Sequence, residues 1–539
     1  MRKIFFVLLP ALTNLCFAAE NSSSFTEDMI TTAELTNYER TSTFAEVISV
    51  LDALQRESEH VHRERLLITE DAKEVPILVL ANPPVSSPEQ ARESNKPVIY
   101  IQGNIHGGEV EGKEASLILM RDILFGDKQH LLENQILVFV PIYNADGNDN
   151  MAAGSRPSQE MSPVMAGERA AHGRDLNRDG MIIEAMETVA LYENVINRWD
   201  PDLLVDLHTT NGTWHGYSLT YAPSYHTAGD PATSAYTADV MLPAIQQSVK
   251  QKFNLDFGWY GGFDYRDWPP TELRTYHHAP RYLVNNMALR NRMAILSETF
   301  AHDRFYKRVH VANVFIEEIL EYTHLNGYEI RRINREADQR VVQRASLSDT
   351  VDNGVQFEMV PLEETLDLLS YKYIPYTNSD GETNFVRSSE IVIIEGVLNY
   401  NRFESIRNSS VPTAYVFLAE YSAIADKLRQ HGIVVETLQQ DVILTVEQFL
   451  VSGMEPQLFP LNDHQNVLLS GEFREADIGF SAGDFLVSLD NRLANLIFYL
   501  LEPQSDDGLG FWNFFDAELQ PMLDSGRPAL YPVSRLMSR

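Results

Sequence analysis

From residue 97 onward, fully apolar runs alternate with amphipathic ones: PVIYIQG, EGKEASLILMRDILFG, ILVFVPIYN, ETVALYENVINRW, DLLVDLH and RMAILSETF follow one another along the chain. Strands apolar along their whole length have both faces covered. Chains that alternate such strands with helices build an α/β unit around a mixed, largely parallel sheet flanked by helices. Sheets of this kind gather functional side chains at the carboxyl ends of their strands. Upstream, TFAEVISVLDALQRES has helical spacing, with Thr43 and Glu46 placed as a capping box. RLLIT and VPILVLA read as strands, and the Pro- and Ser-rich NPPVSSPEQARESNKP as a loop.

With 539 residues the chain exceeds one compact core, so more than one domain is expected. Residues 1–19 read as a signal peptide: MRK supplies the positive start, IFFVLLPALTNLCF an apolar stretch too short to span a bilayer, and Ala18 and Ala19 the small residues for cleavage. Residues 20–34 are a loose polar segment, and residues 35–339 form the α/β domain, closed by a helix from Val309 to Gln339. Residues 340–539 form a second, C-terminal α+β region with no assigned role. In it, TNSDGETN and NRFESIRNSS are turn-rich, and PTAYVF, AEYSAIADKLRQHG and IVVETL suggest strand, helix and strand. The protein is therefore expected to be exported, periplasmic or extracellular, without a stable membrane anchor. Cys16 is the only cysteine and leaves with the signal, so packing, and a metal if one is bound, must stabilise the mature chain. The formal net charge of −33 repels nucleic acid, and reads as a solubilising surface.

Within this frame His106 sits just past an apolar strand and Glu109 at the first turn of the helix that follows, a spacing that lets imidazole and carboxylate converge. Gly103, Gly107, Gly108 and Gly112 let backbone approach closely around them. A catalytic zinc needs a third protein ligand and keeps a fourth position for water. His208, at the end of the strand in VDLHTTNG, offers that third ligand. Taken alone, a strand-end histidine is often a hydrogen-bonded structural residue; the case rests on the two motifs together. GERAAHGRDLNRDGM adds Asp175, able to orient a ligating histidine, with Asn177 and Arg178 able to grip an anion. AILSETF ends a strand on Glu298, where a carboxylate is unexpected unless it faces a site.

The ordered set H-x-x-E, D-x-N-R, strand-end histidine and strand-end glutamate resembles the zinc metallocarboxypeptidase family typified by carboxypeptidase A, over residues 35–330, and HHAPRYLVNNMALRNRMAILSETF and LLEPQSDDGLGFWNFFD are similar to an exported bacterial branch of it. The resemblance implies one Zn²⁺ per chain held by His106, Glu109 and His208, with Asp175 supporting His106. It implies Asn177 and Arg178 as the grip on a substrate's terminal carboxylate and Glu298 as general base and acid. By the same resemblance Arg169, with Arg156 in reserve, polarises the scissile carbonyl, and Tyr276 is the candidate substrate-capping tyrosine. The implied partners are peptides with a free C-terminus. A zinc amidase or deacylase of small N-acyl amino acids shares these motifs, and a non-catalytic binding protein on the same scaffold is a further alternative.

Other groups read as structural. His277 and His278 belong to a site-lining loop, Arg290 and Arg292 to ion pairs, and Asp506 and Asp507 lack the spaced series of a calcium loop, leaving a turn beside packed aromatics.

Overall fold

The computed structural model describes residues 25–159, 163–345 and 351–537; the expected signal peptide lies outside them. Helix α1 (Phe44–Glu57) starts on the expected capping box, Thr43 Oγ1 accepting from the Glu46 amide and the Glu46 carboxylate accepting from the Thr43 amide at 2.8 Å. An eight-stranded sheet follows, built from β1 (Val61–Ile68), β2 (Glu74–Leu80), β3 (Val98–Gly103), β4 (Ile136–Val140), β5 (Leu203–Thr209), β6 (Leu219–Pro223), β7 (Phe257–Trp259) and β8 (Met293–Thr299) in the order β1-β2-β4-β3-β5-β8-β6-β7. The central strands β4, β3, β5 and β8 run parallel, and β1, β2 and β6 pair antiparallel. Every residue of β3, β4, β5 and β8 is buried, the reason these segments carry no alternation.

Two helices position the site. α2 (Glu111–Phe125) packs on β3 and β5, and α3 (Phe305–Ala345) packs on α2 and β8. After β3 the chain goes first to β4 on one side and later returns to β5 on the other. The carboxyl ends of β3 and β5 thus flank a crevice of the kind that receives ligands in open α/β sheets.

Several local expectations are corrected. The stretch read as a loop before β3 contains a helix, Pro88–Ser94, started by the Ser87 cap with proline in its first turn. From Phe25 the segment read as loose is built: Thr31 and Glu34 form a capping box, Met29 is buried, and Arg121 grips Glu34 while lying 4.5 Å over the Phe25 ring. α3 runs past Gln339 to Ala345, since no glycine or proline stops it and Val341 is buried in the core. NRFESIRNSS is not turn but strand, Arg402–Ser410, held by antiparallel pairing with Asp352–Val360. The strand expected from IVVETL shrinks to Glu436–Thr437.

The C-terminal residues form a seven-stranded sheet with a long hairpin, Val442–Pro456 and Val467–Phe480, and a second hairpin, β9 (Leu366–Thr377) and β10 (Thr383–Tyr400), that stands beside the eight-stranded sheet. One hydrophobic cluster runs from Val47 through Val205 and Ile295 to Trp512 and Tyr531, so the second region is sealed onto the first. Asp507 makes the join specific, accepting from the Arg281 amide at 2.8 Å, the Arg281 guanidinium at 2.6 Å and the Trp512 indole at 3.1 Å. Among the described residues no helix is long and apolar enough to cross a membrane.

Candidate active site

A cleft of about 480 Å³ opens at the carboxyl ends of β3, β5 and β8 and is lined by His106, Glu109, Arg156, Arg169, Asn177, Arg178, His208, Tyr276 and Glu298 among others. At the end of β3, Asn104 adopts a left-handed backbone and donates to the carbonyls of His106, Gly107 and Glu109 at 3.0–3.3 Å, tying the chain into a knot. Glu109 closes that turn by donating its amide to the His106 carbonyl at 2.9 Å. It therefore precedes α2 instead of riding on its first turn, and the tight turn makes the two side chains converge. Gly107 is required by close approach: a Cβ there would meet the Gly147 backbone at 2.3 Å.

His106 Nδ1 and His208 Nδ1 face the two oxygens of Glu109 at 3.0 and 2.9 Å, and one donor atom from each of the three residues lies within 4.8 Å of the others. Two imidazole nitrogens and a carboxylate, all buried, make a donor set suited to zinc. The remaining ring nitrogens are held from behind: His106 Nε2 lies 3.2 Å from Asp175 Oδ1, and His208 Nε2 lies 2.9 Å from Asp206 Oδ2. Such outer bonds set tautomer and ring orientation. Burial opposes charge on His208, yet the Asp206 and Glu109 carboxylates hold its pKa well above the ordinary value. Burial likewise opposes charge on Glu109, but His106 and Arg156 hold its pKa well below the carboxylate range.

Glu298 on β8 stands in register with His208 on β5, which brings the two into one cleft. Its Oε2 is buried with no hydrogen-bond partner among the described residues. Burial pushes its pKa up to about 8 against the pull of His208, with Glu109 and Asp206 adding to the rise. A carboxyl so placed is poised to exchange protons near neutrality.

The two candidate arginines separate. Arg156 Nη2 reaches Glu109 Oε1 at 2.5 Å, against the donor set itself, whereas Arg169 spends Nε on Asp175 Oδ2 at 2.9 Å, and among the described residues its outer nitrogens make no hydrogen bond. Arg178 donates to the Asn177 carbonyl at 2.7 Å and lies 4.3 Å over the Tyr282 ring. Tyr276 lines the cleft while its hydroxyl donates to Asn285 Oδ1 at 3.2 Å.

Asp206 and Tyr282 escaped sequence reasoning. Asp206 was legible in principle, two residues before His208 on one strand and so on the same face. The loop bearing His277 and His278 lines the cleft through Tyr276 and Tyr282, as expected, but the two histidines themselves do not. The two rings stack 4.4 Å apart, and His278 Nε2 lies 3.3 Å from Asp506. Arg292 pairs with Asp200 and Asp338 as expected, but Arg290 is held by Asn286, Asn197 and the His431 carbonyl. A second acidic group, Asp71, Asp146 and His172, already has Lys73 Nζ 2.8 Å from Asp146.

Residues 48–181 match the family model described as zinc carboxypeptidase. Over those residues the chain is similar to the zinc carboxypeptidase family. This metallocarboxypeptidase is similar to Carboxypeptidase 2 of Trichophyton tonsurans, 21% identical over 77% of this chain and 73% of the relative. It is equally similar to Carboxypeptidase 2 of Trichophyton rubrum, 21% identical over 81% of this chain and 77% of the relative. Among solved structures it matches carboxypeptidase A from Helicoverpa armigera with a TM-score of 0.37, 15% identity, and coverage of 56% of this chain and 74% of that one.

Proposed function

We propose that this hydrolase is exported, binds one zinc ion through His106, Glu109 and His208, and removes the C-terminal residue of peptides. The observation that carries the reading is the facing set of His106, Glu109 and His208, with the unpartnered Glu298 carboxyl in the same cleft. Zinc in that cradle would supply Lewis-acid chemistry and lower the pKa of a water to around 7.

The chain's own residues do the rest. Asn177 and Arg178 bind the terminal carboxylate, so that only the last peptide bond reaches the reacting position. Glu298 accepts a proton from the attacking water and returns it to the leaving amine. Arg169, whose outer nitrogens make no hydrogen bond among the described residues, hydrogen-bonds the carbonyl oxygen as negative charge develops there. Asp175 and Asp206 keep the two imidazoles aimed, and Arg156 keeps the Glu109 carboxylate turned toward them.

The deciding experiment is incubation of the zinc-loaded protein with a mixed peptide library, with released residues read by mass spectrometry and a chelator control. Single C-terminal amino acids are expected; release only from N-acyl amino acids would favour the deacylase, and no release from either the binding protein. Glu298→Gln should keep its zinc and lose roughly 10²- to 10⁴-fold in kcat. His208→Ala should lose both zinc and turnover, and Arg169→Ala should lose kcat with zinc retained. A Gln variant as fast as the parent would remove Glu298 from the mechanism.

A further inference from the structure

A second groove, of about 560 Å³, continues from the catalytic cleft. The two share Asn211, on the loop that follows His208, and the groove includes neither Asn177 nor Arg178. Given the proposed function, on which this inference rests, the terminal carboxylate occupies the Asn177 and Arg178 side. Chain leaving by way of Asn211 is then the portion amino-terminal to the scissile bond.

The walls of the groove come from both regions of the molecule. Trp214 and Tyr265 belong to the α/β unit, whereas Tyr373, Phe385 and Arg387 belong to the β9–β10 hairpin. The hairpin is pinned there by backbone bonds, Tyr371 donating to the Trp214 carbonyl at 3.2 Å and Gly216 to the Leu369 carbonyl at 2.7 Å, with Ser370 Oγ donating to the Trp214 carbonyl at 3.3 Å. Tyr265 and Tyr373 stack at 5.2 Å and present an aromatic wall.

Arg387 supplies the charge. Its guanidinium lies 3.4 Å from the centroid of the Trp214 ring, whose stacking partner is His302 at 3.7 Å. Flat on an indole, a guanidinium is oriented by its face and keeps its edge N–H groups for a planar, two-oxygen acceptor. Arg387 is exposed, and among the described residues no carboxylate pairs with it, in a chain whose formal charge is −33. A cation held in place, unneutralised in an acidic protein and set among aromatic rings, is matched by a carboxylate carried next to an apolar side chain.

We infer that this groove is an extended subsite for the amino-terminal flank of the peptide substrate, and that Arg387 selects an aspartate or glutamate side chain upstream of the bond that is cut. The test uses the full-length zinc-loaded protein and a set of peptides sharing one C-terminal dipeptide, with glutamate, glutamine or lysine moved through successive upstream positions. At one position kcat/KM should favour glutamate over glutamine by roughly five- to tenfold, and lysine should be worst. Arg387→Ala should level the three, and Arg387→Glu should invert the order in favour of lysine, an outcome that misfolding cannot produce. Release with no upstream preference at any position, or a glutamate preference that survives Arg387→Ala, would overturn the subsite while leaving the carboxypeptidase reading intact. No release from any peptide would overturn that reading and this one with it.

Discussion

Asp206 shows how much of the site sits behind the donors. It is buried beneath His208, accepts from Gln102 Nε2 at 3.3 Å, and Gln102 in turn accepts from the Tyr100 hydroxyl at 2.6 Å. A buried chain of this kind is satisfied only as a whole. Asp206→Ala should weaken zinc binding roughly 10- to 100-fold while leaving the three donors in place. Competition with a chromophoric chelator measures this, and unchanged affinity would make Asp206 merely a fold residue. At this scale His106, Glu109, His208 and Glu298 were legible because polar groups at the ends of wholly apolar strands have few other reasons to be there. Asp206, legible in principle from its place two residues before His208, was passed over because its apolar neighbours read simply as buried strand. The roles of Tyr276 and Tyr282 were not legible, since they differ only in which ring lies under Arg178, a fact of packing.

The helix that follows the first two donors and the strand that carries the third touch at a glycine. A Cβ on Gly112, in the first turn of α2, would meet Leu207 Cβ at 2.4 Å, next to His208 on β5. Gly112→Ala should therefore force α2 and β5 apart, lowering stability by about 1–3 kcal/mol and weakening zinc binding with it. Thermal unfolding with and without zinc tests this; a stable variant with unaltered zinc affinity would show that the contact relaxes without cost. The central strands were readable because burial on both faces leaves an unbroken apolar word. Arg402–Ser410 was not, because most of its side chains are exposed and its conformation is imposed by a ladder with residues about fifty positions earlier.

On the scale of the whole molecule, the two regions share one core, and acid reports on it. His215, at the contact with the β9–β10 hairpin, is fully buried, and burial, with His302 adding to it, depresses its pKa to about 3. The unfolded chain takes up that proton near pH 6.5, so below this pH the unfolded state binds more protons and stability is lost progressively toward pH 3. Asp179 and Asp507, whose pKa values burial raises to about 6, act in the opposite direction over part of that range. The clean measurement is therefore a difference: His215→Gln should reduce the slope of unfolding free energy against pH between 4 and 6 by up to about 1.4 kcal/mol per pH unit. An identical slope would mean that this imidazole is protonated in the fold.

Arg281, whose partner Asp507 lies 226 residues further on, precedes Tyr282, the ring beneath Arg178, the proposed grip on the terminal carboxylate. Synthesis must run far into the second region before that side chain has its foundation. Cleavage within the second region upstream of Asp507 would thus leave Arg178 unbraced, and the second region becomes a precondition for the proposed recognition of substrate.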